Sequence, residues 1–318
     1  MGTETAIAGA LGMLAVILYA VLAGADFGGG VWDLLASGRR AVQQREAIGA
    51  AMGPVWETNH VWLIFLLVLV FTCFPPVFAK LGVALFVPLT LALLGIVLRG
   101  AAFAFRGPPY RDLLPHKVWG VVFGVASLAT PFFFGASAAA IATGTLVLTR
   151  PMSIAVGLFA IALSAQLAGV YLTAETRAAL RDDFRRRAYW ATLVVAIGGL
   201  AALLIGAADA PTLVSHLRSP LSLAMIGGAM SLGLLVCVLL RIDQVLWARI
   251  AVAGEVAAVL CGWFAAQARY MLDQMGVAQP AAPQVTIAIF LRTSLFGAIV
   301  LVPSLLLLFA VFKRAPID

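Results

Sequence analysis

Residues 6–35 read AIAGALGMLAVILYAVLAGADFGGGVWDLL. The stretch Ala6–Ala25 carries no charge and is long enough for an α-helix to cross a bilayer, which takes about 20 mostly apolar residues. Beyond Ala25, only Asp26 and Asp33 interrupt the apolar run. The segment therefore reads as a membrane span. Leu11–Leu22 followed by Ala23-Gly24-Ala25 has the outline of a secretory leader and its cleavage site. The first ten residues, however, hold Glu4 and no Lys or Arg, the wrong charge for the start of a leader. A retained first helix is the reading adopted.

The rest of the chain repeats this character. Of 318 residues, 63% are hydrophobic and 11% charged, where a soluble domain carries about 25% charged residues. The mean hydropathy of +1.05 agrees. A net charge of +7 raises the thought of nucleic acid, but such binding needs cations gathered on one solvated face. Here Lys and Arg fall in short groups between apolar runs, so no nucleic-acid partner is expected. Cys73, Cys237 and Cys261 lie within apolar runs without paired spacing and read as small buried hydrophobes.

Nine stretches have span length: Ala6–Leu35, Met52–Phe74, Val77–Ala104, Val118–Leu148, Met152–Ala174, Ala188–Ala208, Leu221–Leu240, Leu246–Gln267 and Val285–Phe312. Pro75-Pro76 and Pro151 mark sharp boundaries between neighbours. The expected fold is all-α and polytopic, with about nine transmembrane helices in two bundles plus a peripheral helix. Residues 1–318 form one transmembrane domain with short loops and no inserted soluble domain.

Cation placement tests the count. Arg39, Arg40 and Arg45 fall on one side, followed by Arg99, Arg106, Arg111 and Lys117. The same side takes Arg177, Arg181, Arg185, Arg186 and Arg187, then Arg241 and Arg249, and last Lys313 and Arg314. The other side holds only Lys80, Arg150, Arg218 and Arg269, and Arg292 lies within the last span. Cytoplasmic loops are enriched in Lys and Arg. The N-terminus is therefore expected outside and the C-terminus in the cytoplasm.

Ionisable groups inside spans are costly and point to function. Asp26, Glu57 and Glu255 all fall in the cytoplasmic halves of their spans. Asp26 lies roughly 13 Å from the end of its helix, Glu57 about one turn in, and Glu255 roughly 9 Å in. Three acids there point to proton entry, because burial raises a carboxyl pKa into a range where it takes and passes protons. Each has a plainer alternative. A buried acid can pair with a cation, and Glu57 near a helix N-terminus is favoured by the macrodipole alone. Glu255 and Arg292 fit a structural or partner-facing role, and Asp33, near the boundary, is expected to be solvated.

Two segments stand out. Gly24-Ala25-Asp26-Phe27-Gly28-Gly29-Gly30 surrounds an acid with small residues, and Gly24 and Gly28 have the spacing that lets helices approach closely. Gly53-Pro54-Val55-Trp56-Glu57-Thr58-Asn59-His60-Val61-Trp62-Leu63-Ile64 packs an acid, an amide, an imidazole and two Trp into the start of a span. Trp56 and Trp62 also suit an interfacial belt. Glu57 and His60, three apart, share a face.

Together these segments resemble subunit II of cytochrome bd-type quinol oxidases, including the cyanide-insensitive variants. That family carries G-x-D-x-G-x-G in its first helix and P-x-W-[D/E]-x-N-x-V-W-L in its second, matched here by Gly24–Gly30 and Pro54–Leu63. Arg99 and Arg106 resemble the family's paired arginines. The resemblance covers roughly the first 110 residues, and span count alone supports it beyond them.

The resemblance implies a haem-free subunit II that stabilises a haem-bearing subunit I in an electrogenic, non-pumping enzyme oxidising quinol and reducing oxygen to water. It places Glu57 on a cytoplasmic proton route with Asp26, and His60, Asn59 and Glu255 are candidate helpers. Gly24, Gly28, Gly30, Trp56, Trp62, Arg99 and Arg106 are motif positions of structural weight. No cofactor is expected in this chain; haem b, with or without haem d, belongs to subunit I, and quinol is the substrate of the complex. Membrane lipid, a structural quinone and small accessory subunits are further partners compatible with the family. Many members carry an acid two residues before the second arginine, where this chain has Ala104. Two other readings compete: a secondary transporter using Asp26, Glu57 and Glu255 for coupling protons, and a purely structural assembly subunit. Internal repeats and broken midplane helices would mark the transporter.

Overall fold

The computed structural model describes residues 2–52, 56–106, 116–144, 148–267 and 281–312. The side chains of Trp56 and Glu57 lie outside that description. The elements are α1 (Thr3–Leu34), α2 (Ala41–Met52), α3 (Trp56–Asn59), α4 (Val61–Cys73), α5 (Pro75–Ala84), α6 (Phe86–Phe105) and α7 (His116–Thr143). They continue with α8 (Pro151–Glu175), α9 (Ala178–Asp209), α10 (Pro211–Leu217), α11 (Pro220–Arg241), α12 (Val245–Gln267) and α13 (Gln284–Phe312). No strand occurs among the described residues. Helices dominate because every backbone N–H and C=O in hydrocarbon has to be satisfied within its own segment.

Eight of these helices are long and apolar enough to cross a membrane, and α4 with α5 makes a ninth, bent by 119°. About nine spans is therefore the right count, but two boundaries need correcting. The stretch expected as a single span over Val77–Ala104 is broken at Leu85, and α6 alone forms the third span. The turn before α5 follows from chemistry: Pro75 and Pro76 cannot donate to the α4 ladder, so Phe74 leaves helical geometry at φ −135°, ψ 53°. The second correction concerns the first connection. It is not a plain loop but holds α2, which buries Gln44, Ala47, Ile48, Ala51 and Met52. The expected start of the second span at Met52 thus belongs to α2, and that span begins with α3 and α4.

Two bundles are built on one another. α1, α4, α6 and α7 pack as the first, and α8, α9, α11 and α12 as the second, with α8 against both α1 and α7. α13 lies outside them, touching α1 and α4. Its Arg292 is exposed. Lipid gives no hydrophobic drive for helices to associate, so close packing and polar contacts have to do so. Polar contacts cluster at one end: Arg40 pairs with Asp183 at 2.6 Å, Arg181 and Arg185 with Asp243, Arg249 with Glu175, and Arg187 donates to Gln44 at 2.6 Å. α9 has 32 residues, roughly 48 Å at 1.5 Å each, so its Arg-bearing first turns stand beyond the hydrocarbon at that same end.

Candidate functional site

The glycines of α1 let two other helices reach its backbone. A Cβ on Gly28 would fall 1.8 Å from the carbonyl oxygen of Ser164 in α8, and one on Gly30 would fall 2.0 Å from Ser127 Oγ in α7. Gly24 faces Leu167 one turn earlier, so the Gly24/Gly28 spacing does mark a close approach, that of α1 to α8. Trp32 Nε1 donates to Ala165 O at 2.8 Å and fixes the same contact nearer the arginine-rich end.

Asp26 stands between those glycines and is 3% exposed. Its Oδ2 accepts from Asn59 Nδ2 at 2.5 Å, and the same amide reaches Leu22 O at 3.4 Å. The acid of the first motif is thus held by the amide of the second. Asn59 can do this because α3 stops there and α4 restarts after His60. Arg99 of α6 completes the group. It is 1% exposed, donates to the Asp26 carbonyl at 3.1 Å and lies between the rings of Phe27 and Phe123, at 5.5 and 5.1 Å. Such faces suit the flat, weakly hydrated guanidinium.

Two turns further along, the pattern repeats. Asp33 pairs with Arg106 at 2.8 Å, and Arg106 lies 4.9 Å over the ring of Phe123. The expectation of a solvated Asp33 is therefore wrong; it is 2% exposed because α1 continues to Leu34 and Arg106 covers it. The sequence held a signal for both pairs: Asp26 and Asp33 are seven apart, and so are Arg99 and Arg106. Two helices running in the same direction bring equal spacings into register.

His60 is packed beside Tyr19, whose hydroxyl is 3.4 Å from its Nδ1, and near the ring of Phe27 at 6.3 Å. Trp62 packs with Tyr19, Ala23 and Phe27. Glu57 lies in α3 two residues before Asn59, and its side chain and that of Trp56 are outside the described residues. Glu255 is not brought to Asp26. It belongs to the second bundle, where Oε2 accepts from Gln166 Nε2 at 2.8 Å and Gln166 also reaches Thr192 Oγ1 at 3.2 Å. Gly233 makes room for its carboxyl. Ala104 is exposed on α6. Sequence reasoning missed Gln166, Thr192, Phe123 and the Glu175–Arg249 pair. Among the described residues no group of three His, Cys, Asp or Glu side chains converges as a metal-ligand set.

A family model described as "Cytochrome bd terminal oxidase subunit II" matches residues 5–312. The chain is 35% identical over 114 residues to the cytochrome bd ubiquinol oxidase subunit 2 of Bacillus subtilis, covering 36% of this chain and 33% of the relative. It is 27% identical over 163 residues to a probable cytochrome oxidase subunit 2 of Haemophilus influenzae, covering 46% and 43%. The matched segments thus span less than half the length of these relatives. In three dimensions it superposes on a chain of the bd oxidase structure from Geobacillus thermodenitrificans with a TM-score of 0.81, at 19% identity, over 98% of this chain and 99% of that one. That likeness bears on the fold.

Proposed function

This chain belongs to the cytochrome bd terminal oxidase subunit II family, and from that premise we propose that it supports a haem-bearing partner subunit and carries protons toward the site of oxygen reduction. The partner holds haem b, with or without haem d, and oxidises quinol; this subunit is haem-free. Reducing oxygen to water consumes protons as well as electrons, and the protons have to cross a low-dielectric interior. The observation that carries the reading is the junction of Asp26 with Asn59. A carboxyl in a span is retained at a cost, and this one is oriented by an amide while Arg99 binds its own backbone. Asn59 orients this carboxyl, which is the group that gains and loses the proton in this scheme. Glu57, two residues away on α3, is the neighbouring carrier. Glu255, held by Gln166 in the other bundle, is a structural group in this scheme.

Asp26→Asn keeps the shape and can still accept from Asn59, and Glu57→Gln likewise keeps shape without a titrating proton. Each variant is expected to assemble with a normal haem spectrum and to reduce oxygen about tenfold more slowly, the effect of about 1.4 kcal/mol on a proton-transfer barrier. Glu57→Asp should retain much of the activity. Wild-type turnover in both neutral variants would leave the purely structural reading standing.

The proposed setting is the bacterial cytoplasmic membrane, with the arginine-rich end in the cytoplasm and the N-terminus outside. Reporter fusions after Arg187 should read cytoplasmic and those after Ser219 periplasmic. Finding both on one side would remove a crossing between them and reverse part of this orientation.

A further inference from the structure

α13 meets the rest of the chain along one side near its start. Gln284 Nε2 donates to Thr5 Oγ1 at 3.0 Å, Ile287 is buried beside Ala8 and Cys73, and the Phe290 ring lies 6.1 Å from that of Phe65. Along the opposite side the helix presents Val285, Ile289, Arg292, Phe296 and Ile299, all exposed. Their steps of four, three, four and three residues set them in one line along the helix. An apolar line in a bilayer needs no protein partner, since lipid tails cover it equally well. A guanidinium in the middle of that line does need one.

α13 has 29 residues, about 43 Å at 1.5 Å each, which matches a bilayer with its headgroups, about 40–45 Å. Arg292 comes eight residues after Gln284, so its Cα lies about 12 Å below the outer end, inside the hydrocarbon layer. A charge at that depth is costly unless it is paired. None of the ion pairs among the described residues includes Arg292. An extended arginine reaches roughly 7 Å, so a headgroup phosphate at the outer end is met only where the bilayer thins locally. A carboxylate on a helix packed along the line stands at the same depth and accepts two parallel hydrogen bonds from the guanidinium. A lone polar residue in an apolar seam is also the device by which packed helices fix their register.

We propose that this line of α13 docks a membrane-spanning helix of the haem-bearing partner, and that Arg292 pairs with an Asp or Glu of that helix in the outer half of the bilayer. The inference rests on the reading of this chain as support for such a partner and names a charged contact through which the support acts. The partner group has to be a carboxylate, because an amide would leave the guanidinium charge unbalanced. The pair also makes the contact selective. An unrelated apolar helix packs on Phe296 and Ile299 equally well but strands Arg292.

The test uses the assembled oxidase in detergent, held on a support by a tag on this chain. Arg292→Leu should speed the loss of the partner's haem from the support about thirtyfold, the lower end of what truncating one member of a buried charge pair does to an interface. Arg218→Leu, at an exposed arginine outside the line, should lose haem at the wild-type rate. A photoreactive benzoylphenylalanine in place of Ile289, one turn from Arg292, should cross-link on illumination to a partner peptide that holds an Asp or Glu. Changing that residue to its amide should add nothing to the effect of Arg292→Leu. The cross-link leaves Arg292 in place and so reads the seam independently of that variant. Wild-type haem retention in Arg292→Leu refutes the ion pair. Cross-linking to phospholipid alone, or to a second copy of this chain, refutes the partner helix as the occupant. If no haem-bearing subunit co-purifies with the unaltered chain, the underlying reading fails and takes the docking line with it.

Discussion

Gly28→Val is expected to leave almost no folded chain to recover, while Gly9→Val on the same helix should be recovered at wild-type yield. The difference lies in what each new side chain meets. At Gly28 the first added carbon would sit 1.8 Å from the carbonyl oxygen and 2.4 Å from the carbonyl carbon of Ser164. Those are backbone atoms of α8, so no rotamer change relieves the clash. α1 and α8 would have to part by more than an ångström, and α8 joins the two bundles. Overpacking typically costs about 1–3 kcal/mol, occasionally more. Here the displaced contacts include the Trp32 bond to Ala165 and the Asp26 group on the neighbouring turn. At Gly9 nothing lies within 4 Å. Yield and thermal midpoint in detergent, read by size-exclusion chromatography after heating, give the comparison. A Gly28→Val chain that melts with the wild type would show that the close approach of α1 and α8 is dispensable.

Arg99→Met should destabilise the chain by about 3–5 kcal/mol, the cost of stranding a buried partner. Arg99 is the largest of the fully buried side chains among the described residues, and it serves Asp26 and two aromatic rings at once. Methionine fills much of its volume but neither neutralises the carboxylate nor donates to the Asp26 carbonyl. Arg99→Lys should recover little, since a point charge on a flexible stem cannot lie flat between Phe27 and Phe123. Adding Asp26→Asn to Arg99→Met should restore part of the loss, because the stranded charge is then gone. The four midpoints of that double-mutant cycle measure the coupling. Strictly additive losses would mean that Arg99 acts through packing alone and that its charge is not paired with Asp26. The same change at Arg106, 15% exposed, should cost less.

Much of the fold was legible from hydropathy, because spans of this length have no other stable fate in lipid. What escaped was decided at finer scale. Residues 41–52 mix Gln, Arg and Glu with small apolar residues, so no span-sized window flags α2; its helix is fixed by burying Ile48 and Met52 against α1 and α8. The break at Phe74 was foreshadowed by two prolines, but not the angle of the turn, which depends on what α5 packs against. The motifs located Asp26 and Asn59, yet nothing in their spacing says that one binds the other. Distance along a helix from its end also misled at Asp33, since depth depends on which neighbours continue past it. Glu255 shows the opposite limit. It shares a membrane level with Asp26 in sequence terms, and only packing reveals that a different set of helices surrounds it.

The matched spacing of the two acids on α1 and the two arginines on α6 works mechanically as a pair of teeth. Moving α6 along α1 by one helical turn, about 5.4 Å, disengages both at once, taking Arg99 from the Asp26 carbonyl and Arg106 from the Asp33 carboxylate. Moving it by two turns would set Arg106 at Asp26 but strand Asp33 and Arg99 in hydrocarbon. No gradual slide between these helices is therefore available at low cost, and Phe123, clasped by both guanidinium groups, resists rotation about the same seam. α6 is thus tied to α1 at two levels, by Arg99 and by Arg106. The bent junction at Phe74 and α13, set against α1 and α4, show no such matched acid and arginine spacing among the described residues.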